Sequence, residues 1–163
     1  MRVSLQIALT VISLLLLGHT DAIEAEEQKF KLIKIERPFA YYEGNVVVSG
    51  FYHEQVGMSE IGVNFEEGLI CFSVKGPTEK LIPRDQDSRS PWFCFSNTEK
   101  ARAELKVSGQ VPEGTCVIFG KATVQISKYV VDRTESEVHD TANLESVISF
   151  EKPDFRKECS MVP

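Results

Sequence analysis

The sequence predicts an all-β domain interrupted by one short helix. Three observations carry that prediction. Runs rich in Val, Ile, Phe and Tyr recur along the chain, including NVVVSGFY at 45–52, GLICFSV at 68–74 and GKATVQI at 120–126. Such residues fit a pleated, half-buried surface. Glycine, proline and charged clusters separate the runs, as turns require. One stretch alone, SNTEKARAELK at 96–106, carries helix signals instead.

The first residues are set apart from this pattern. Arg2 precedes an apolar run from Leu5 to Leu17, and small residues follow at Thr20 and Ala22. That is the layout of a secretory signal, residues 1–22, cleaved near Ala22. Thirteen residues are too few to cross ~30 Å of hydrocarbon as a helix, and no later apolar run approaches the ~20 residues needed. No cysteine follows the run to carry a lipid. The expectation is a soluble protein, secreted or periplasmic, with no membrane partner. Removing 22 of the 163 residues leaves 141, one domain's length.

Residues 23–43 read as a lead-in segment, with KFKLIKI at 29–35 forming an extra N-terminal strand before a turn at Pro38. The first main strand is expected at 44–55, with Val46 and Val48 on one face and Val47 and Phe51 on the other. Gly50 in its middle suggests a bulge or bend. The second strand is placed at 63–74 and the third at 92–96. Between them, residues 75–91 carry two internal prolines and a charged tip, predicting an exposed loop with a short strand extension at Leu81 and Ile82. Ser96 and Glu99 have capping-box spacing, so a helix is predicted over 97–106, ended by Gly109. A long strand follows at 116–131, with Ile118, Gly120, Ala122, Val124 and Ile126 as its core face. The last strand is placed at 141–148, and residues 151–163 form a polar surface tail.

Three strands, a helix and two strands, the first strand bearing a glycine, resemble the oligonucleotide/oligosaccharide-binding (OB) fold over about residues 44–150. That fold is a five-stranded Greek-key barrel. In NVVVSGFY, GLICFSV, GKATVQI and VHDTANLESV the chain is similar to small exported bacterial OB-fold proteins of unknown function. It departs from them in its additional cysteines and its long loop at 75–91. A β-sandwich, the rival architecture, needs two more strands than the sequence offers.

Cysteine, phenylalanine and serine recur in ICFSV (70–74) and FCFSN (93–97). The four cysteines, Cys71, Cys94, Cys116 and Cys159, sit in a chain expected to be exported, and an even count there favours disulfides. None are spaced as C-x-x-C, which argues against a redox or zinc-knuckle role. If the second and third strands are antiparallel neighbours, Cys71 faces Cys94 and Cys116 is left to Cys159. Cys94 with Cys116 is the leading competitor, because OB strands three and four flank the helix.

The net charge of −6 makes a polyanion a poor partner, so no nucleic acid is expected. The chain lacks H-E-x-x-H, G-x-S-x-G and G-x-G-x-x-G. GQVPEGTC has phosphate-loop glycine spacing but Thr115 and Cys116 where lysine and hydroxyl belong, and SFEK at 149–152 matches S-x-x-K without a companion K-T-G. His53 with Glu54 and His139 with Asp140 form a weak metal or acid/base candidate, on the expectation that their strands border one another. Solvated strand-end polar groups are the commoner reading, so no metal, cofactor or enzymatic activity is expected. A binding surface is the better candidate. The OB face would offer Tyr52, Phe65, Phe72, Trp92, Phe93 and Phe95. Alternation buries most of these, with Phe72 and Trp92 expected to face outward.

The reading favoured by the sequence is a non-enzymatic, monomeric binding module for a protein or small polar ligand. Its residues would include Tyr52, Phe72, Trp92, Asp85 and Asp87. The alternatives are an inhibitor or immunity-type protein, whose acidic loops (Asp85, Asp87, Glu137) plug a basic secreted hydrolase, and a metal-dependent enzyme using His53 and His139.

Overall fold

A computed structural model describes residues 29–56, 68–84, 90–107, 111–134 and 139–157. The protein is mostly β: β1 (Lys31–Glu36), β2 (Phe39–Gln55), β3 (Ile70–Val74), β4 (Trp92–Phe95), β5 (Val117–Asp132), β6 (Asp140–Phe150) and β7 (Asp154–Arg156). One helix, α1 (Thr98–Glu104), lies between β4 and β5, and a short 3-10 segment spans Gly76–Leu81. No helix among the described residues is long and apolar enough to cross a membrane.

Five strands close into a ring. β2 is antiparallel to β3 and β3 to β4, β4 runs parallel to β6, β6 is antiparallel to β5, and β5 returns antiparallel to β2. β1 extends the N-terminal half of β2, and β7 pairs with the start of β5.

Closure demands that the two longest strands bend. Between Tyr42 and Asn45, two residues of β2 oppose one of β5, and the extra length is absorbed by Gly44 (φ 129°) and by Lys128 (φ 48°). Bulges of this kind increase local twist and let a strand turn from one neighbour to the next. The side-chain alternation of β5 consequently changes phase. Ile118, Gly120, Ala122, Val124 and Ile126 face the core as expected, but beyond the bulge the buried positions are Tyr129 and Val131. Inside, Phe93 meets Phe95 edge-on at 5.4 Å and Tyr129 at 5.7 Å, while Phe72 lies 5.6 Å from Phe93.

The first main strand begins at Phe39 instead of Gly44, because residues 39–42 already pair with both β1 and β5. Gly50 is no bulge: it pairs in register with Val74 and Ala122. It is glycine because a Cβ there would overlap the Ser73 carbonyl. Leu81 and Ile82 do not extend a strand. Pro77 lies in the first turn of the 3-10 segment, and Thr78 ties it to β2 by accepting from the Ser49 amide at 3.1 Å. The expected second-strand residues 63–67 and the loop tip at 85–89 lie outside the described residues.

The capping box is not formed. Ser96 Oγ is held by the Ala142 carbonyl (3.2 Å) and Asn143, so Asn97 occupies the cap position. Asn97 in turn clasps the backbone of Leu144, donating to its carbonyl at 2.9 Å and accepting from its amide at 2.8 Å. The helix ends at Glu104, with Lys106 at φ 55°, well before Gly109, which lies outside the described residues. Polar groups that could cap the helix are used to dock it on β6.

Cys71 and Cys94 are direct partners across β3 and β4 and form a disulfide, which excludes a Cys94–Cys116 bond. Cys116 is also disulfide-bonded. Cys159, its expected partner, lies outside the described residues.

Candidate functional site

Of the residues expected at a binding face, Tyr52 and Phe72 are fully buried, as are Phe93 and Phe95. This corrects the outward placement expected of Phe72 and the surface role expected of Tyr52. In β2, β3 and β4 the inward positions are Tyr52, Phe72 and Phe93, so an aromatic of one strand meets an aromatic of the next. The Tyr52 hydroxyl donates to the Glu151 carbonyl at 3.1 Å, and burial, with a smaller contribution from the nearby Glu151 charge, pushes its pKa up to about 12. Trp92 is half-buried and packs against His139 with ring centroids 5.9 Å apart. Phe65, Asp85, Asp87 and Glu137 lie outside the described residues.

The two histidine–carboxylate pairs are not brought together. The strands carrying them do not border one another: β3 and β4 separate β2 from β6 on one side of the ring, and β5 on the other. Their carboxylates already have work within the fold. Asp140 accepts from the Tyr129 hydroxyl at 2.6 Å and from the Asp132 amide at 3.0 Å, with Arg84 at 3.8 Å. Glu54, buried at the foot of β2, meets Arg102 of α1 at 2.5 Å, and Arg102 also donates to the Gly68 carbonyl at 2.9 Å. Burial raises the Glu54 pKa and Arg102 opposes the rise. Burial lowers the pKa of His53, which holds the ring neutral at neutral pH. Among the described residues, no three His, Cys, Asp or Glu side chains gather as a metal site would require.

The outer wall of the β2–β5 pair is a different matter. Pairing aligns Phe51 with Lys121 and His53 with Phe119. The Phe51 and Phe119 rings stack at 5.3 Å with only 16° between their planes. Lys121 lies 5.9 Å from the Phe51 ring centre and 3.4 Å from the Glu151 carboxylate, and the Arg156 guanidinium sits 4.5 Å from the Phe119 ring. Beside Phe51 an open cavity of about 410 Å³ runs between β2, Lys75, β5 and the end of β6. Phe51 and Phe150 supply its apolar surface, and Ser49, Thr123 and Ser149 its hydroxyls. The Ser49 and Thr123 hydroxyls bond to each other at 2.9 Å. Such a groove can stack a ring against Phe51 while exchanging hydrogen bonds along its rim.

These residues were absent from the expected site. Their signal was present as aromatic and hydroxyl side chains at outward positions of two alternating strands. What the sequence lacked was the register that sets those positions side by side.

Fold and site together define a disulfide-braced, mostly β domain closed into a ring, with an amphipathic groove on its outer wall. Comparisons with protein-family models, with curated proteins and with solved structures find no match.

Proposed function

We propose that this protein is an exported, non-enzymatic binding module of the OB type, which holds a small polar ligand in the groove beside Phe51. The OB reading is supported by the strand order β2-β3-β4-β6-β5 with return to β2, by the parallel pair β4 and β6, and by the helix between β4 and β5. Export is supported by the apolar leader at 5–17 and by the oxidised state of Cys71, Cys94 and Cys116.

The observation that carries the ligand reading is the composition of the groove. Two aromatic rings offer a flat apolar surface, three hydroxyls offer both donors and acceptors, and Lys75 and Lys121 offer positive charge. A hydroxylated ring, such as a neutral sugar or a sugar acid, has the complementary surfaces. An NMR titration of the exported protein with neutral and acidic monosaccharides and disaccharides at millimolar concentration tests this. Shift changes should centre on Ser49, Phe51, Lys121 and Thr123, and Phe51→Ser should abolish them. Shifts confined to Trp92 and His139 would move the site to the other wall, and no shifts from any sugar would refute the assignment of ligand class.

A further inference from the structure

β1 is exposed along its whole length. Leu32, Ile33 and Ile35 are 45%, 49% and 48% accessible, and no residue from Lys31 to Glu36 is shielded. Among the described residues the strand pairs on one side only, with β2. Alternate N–H and C=O groups along its other side therefore point outward, the condition that invites another strand.

The pattern of side chains selects which strand that is. Ile33 is the extra residue of a bulge, since Leu32 pairs with Tyr42 and Lys34 with Tyr41. The bulge leaves Leu32 and Ile35 on the face of Tyr42 and Ala40, and Lys31, Lys34 and Glu36 on the face of Glu43, Tyr41 and Phe39. We propose that β1 is the seam of a homodimer, in which two copies pair antiparallel about a two-fold axis between Ile33 and Lys34. In that register Lys31 of each copy meets Glu36 of the other, Leu32 meets Ile35, and Ile33 meets Lys34. Charged residues fall against opposite charges at both ends and Leu32 falls against Ile35 inside them, each of these pairs sharing a face, while Ile33 and Lys34 meet at the axis.

Lysines and bulges on an edge strand ordinarily discourage pairing. Here the lysines repel strands without acidic residues, whereas a second copy supplies Glu36 at each end. Glu36 already holds Lys34 at 2.9 Å in its own chain. That pair is exposed, so sharing the carboxylate with Lys31 of a second copy costs little. Six residues a side bury less than a standard interface, so the dimer is weak and forms in proportion to concentration.

Sedimentation velocity of the exported protein from micromolar to millimolar concentration reads this directly. The wild type should pass from monomer to dimer. Lys31→Glu and Glu36→Lys should each weaken association ~tenfold or more, because two attractive pairs become two repulsive ones. An equimolar mixture of the two variants, and the double variant Lys31→Glu/Glu36→Lys, should both recover dimerisation. All three variants alter exposed side chains, so their melting temperatures should match the wild type and loss of fold is distinguished from loss of contact. A wild type that stays monomeric throughout, single variants that dimerise unchanged, or a mixture that fails to associate overturns the proposal.

Discussion

Replacing Arg102 by methionine strands a buried charge. The Glu54 side chain is only 2% accessible, and among the described residues Arg102 is the cation that pairs with its carboxylate. Its second oxygen, Oε2, has no hydrogen-bond partner among the described residues. Removing one member of such a pair typically costs about 3–5 kcal/mol, because the other stays buried without its counter-charge. For a domain of this size that lowers Tm by roughly 10–15 °C. Replacing both residues, as Glu54→Leu/Arg102→Met, should recover most of the loss, short of the Arg102 bond to Gly68, worth ~1 kcal/mol. The effect must also depend on pH. Burial already holds the Glu54 pKa above its ordinary 4.5. A carboxyl raised in the native state contributes stability that is complete below the unfolded pKa and is lost as pH rises through the native one. Without Arg102 the native pKa climbs further, so the deficit of Arg102→Met should be small near pH 4.5 and grow toward neutrality. Thermal melts of the wild type, the single variant and the double variant across that range measure it. A deficit that is independent of pH, or that persists undiminished in the double variant, refutes the reasoning.

Other expectations follow from single features of the fold. Cys71→Ala/Cys94→Ala opens a loop of 23-residue separation and should cost ~3.5 kcal/mol in the chain-entropy description, read as a lower denaturation midpoint. Gly120→Ala drives a Cβ into the Tyr52 ring and should cost about 1–3 kcal/mol; an unchanged melting temperature would show that the ring has room to move. His53 has a lowered native pKa, so the stability it contributes is present above its unfolded value of 6.5 and is lost as pH falls through the native one. His53→Gln should flatten that part of the stability profile, and an unaltered acid slope would assign it to another group.

The pleat made much of this molecule legible. Along β2 and β5 the core positions Val46, Val48, Ile118, Val124 and Ile126 follow from alternation alone, since successive side chains must point to opposite faces. The echo of Cys71 in Cys94 located two neighbouring strands and their bond. The helix was legible in outline, but its capping was not, because Ser96 and Asn97 spend their hydrogen bonds on β6. The tail reads as a polar surface segment, yet Asp154–Arg156 pairs with β5, a non-local contact that one phenylalanine between two charged residues does not announce.

Local patterning thus determined by itself where strands lie, which of their residues enter the core, and how the first two cysteines meet. Tertiary structure alone decided what those strands bring together. Alternation says only that Phe51 and Phe119 point outward, while the register of β2 on β5 stacks them and opens the groove beside them. It likewise turned Glu54 and Asp140 inward to Arg102 and Tyr129 and kept the two histidines apart. The physical reason is that a strand's period is a property of its own backbone, whereas register and ring closure depend on every strand at once.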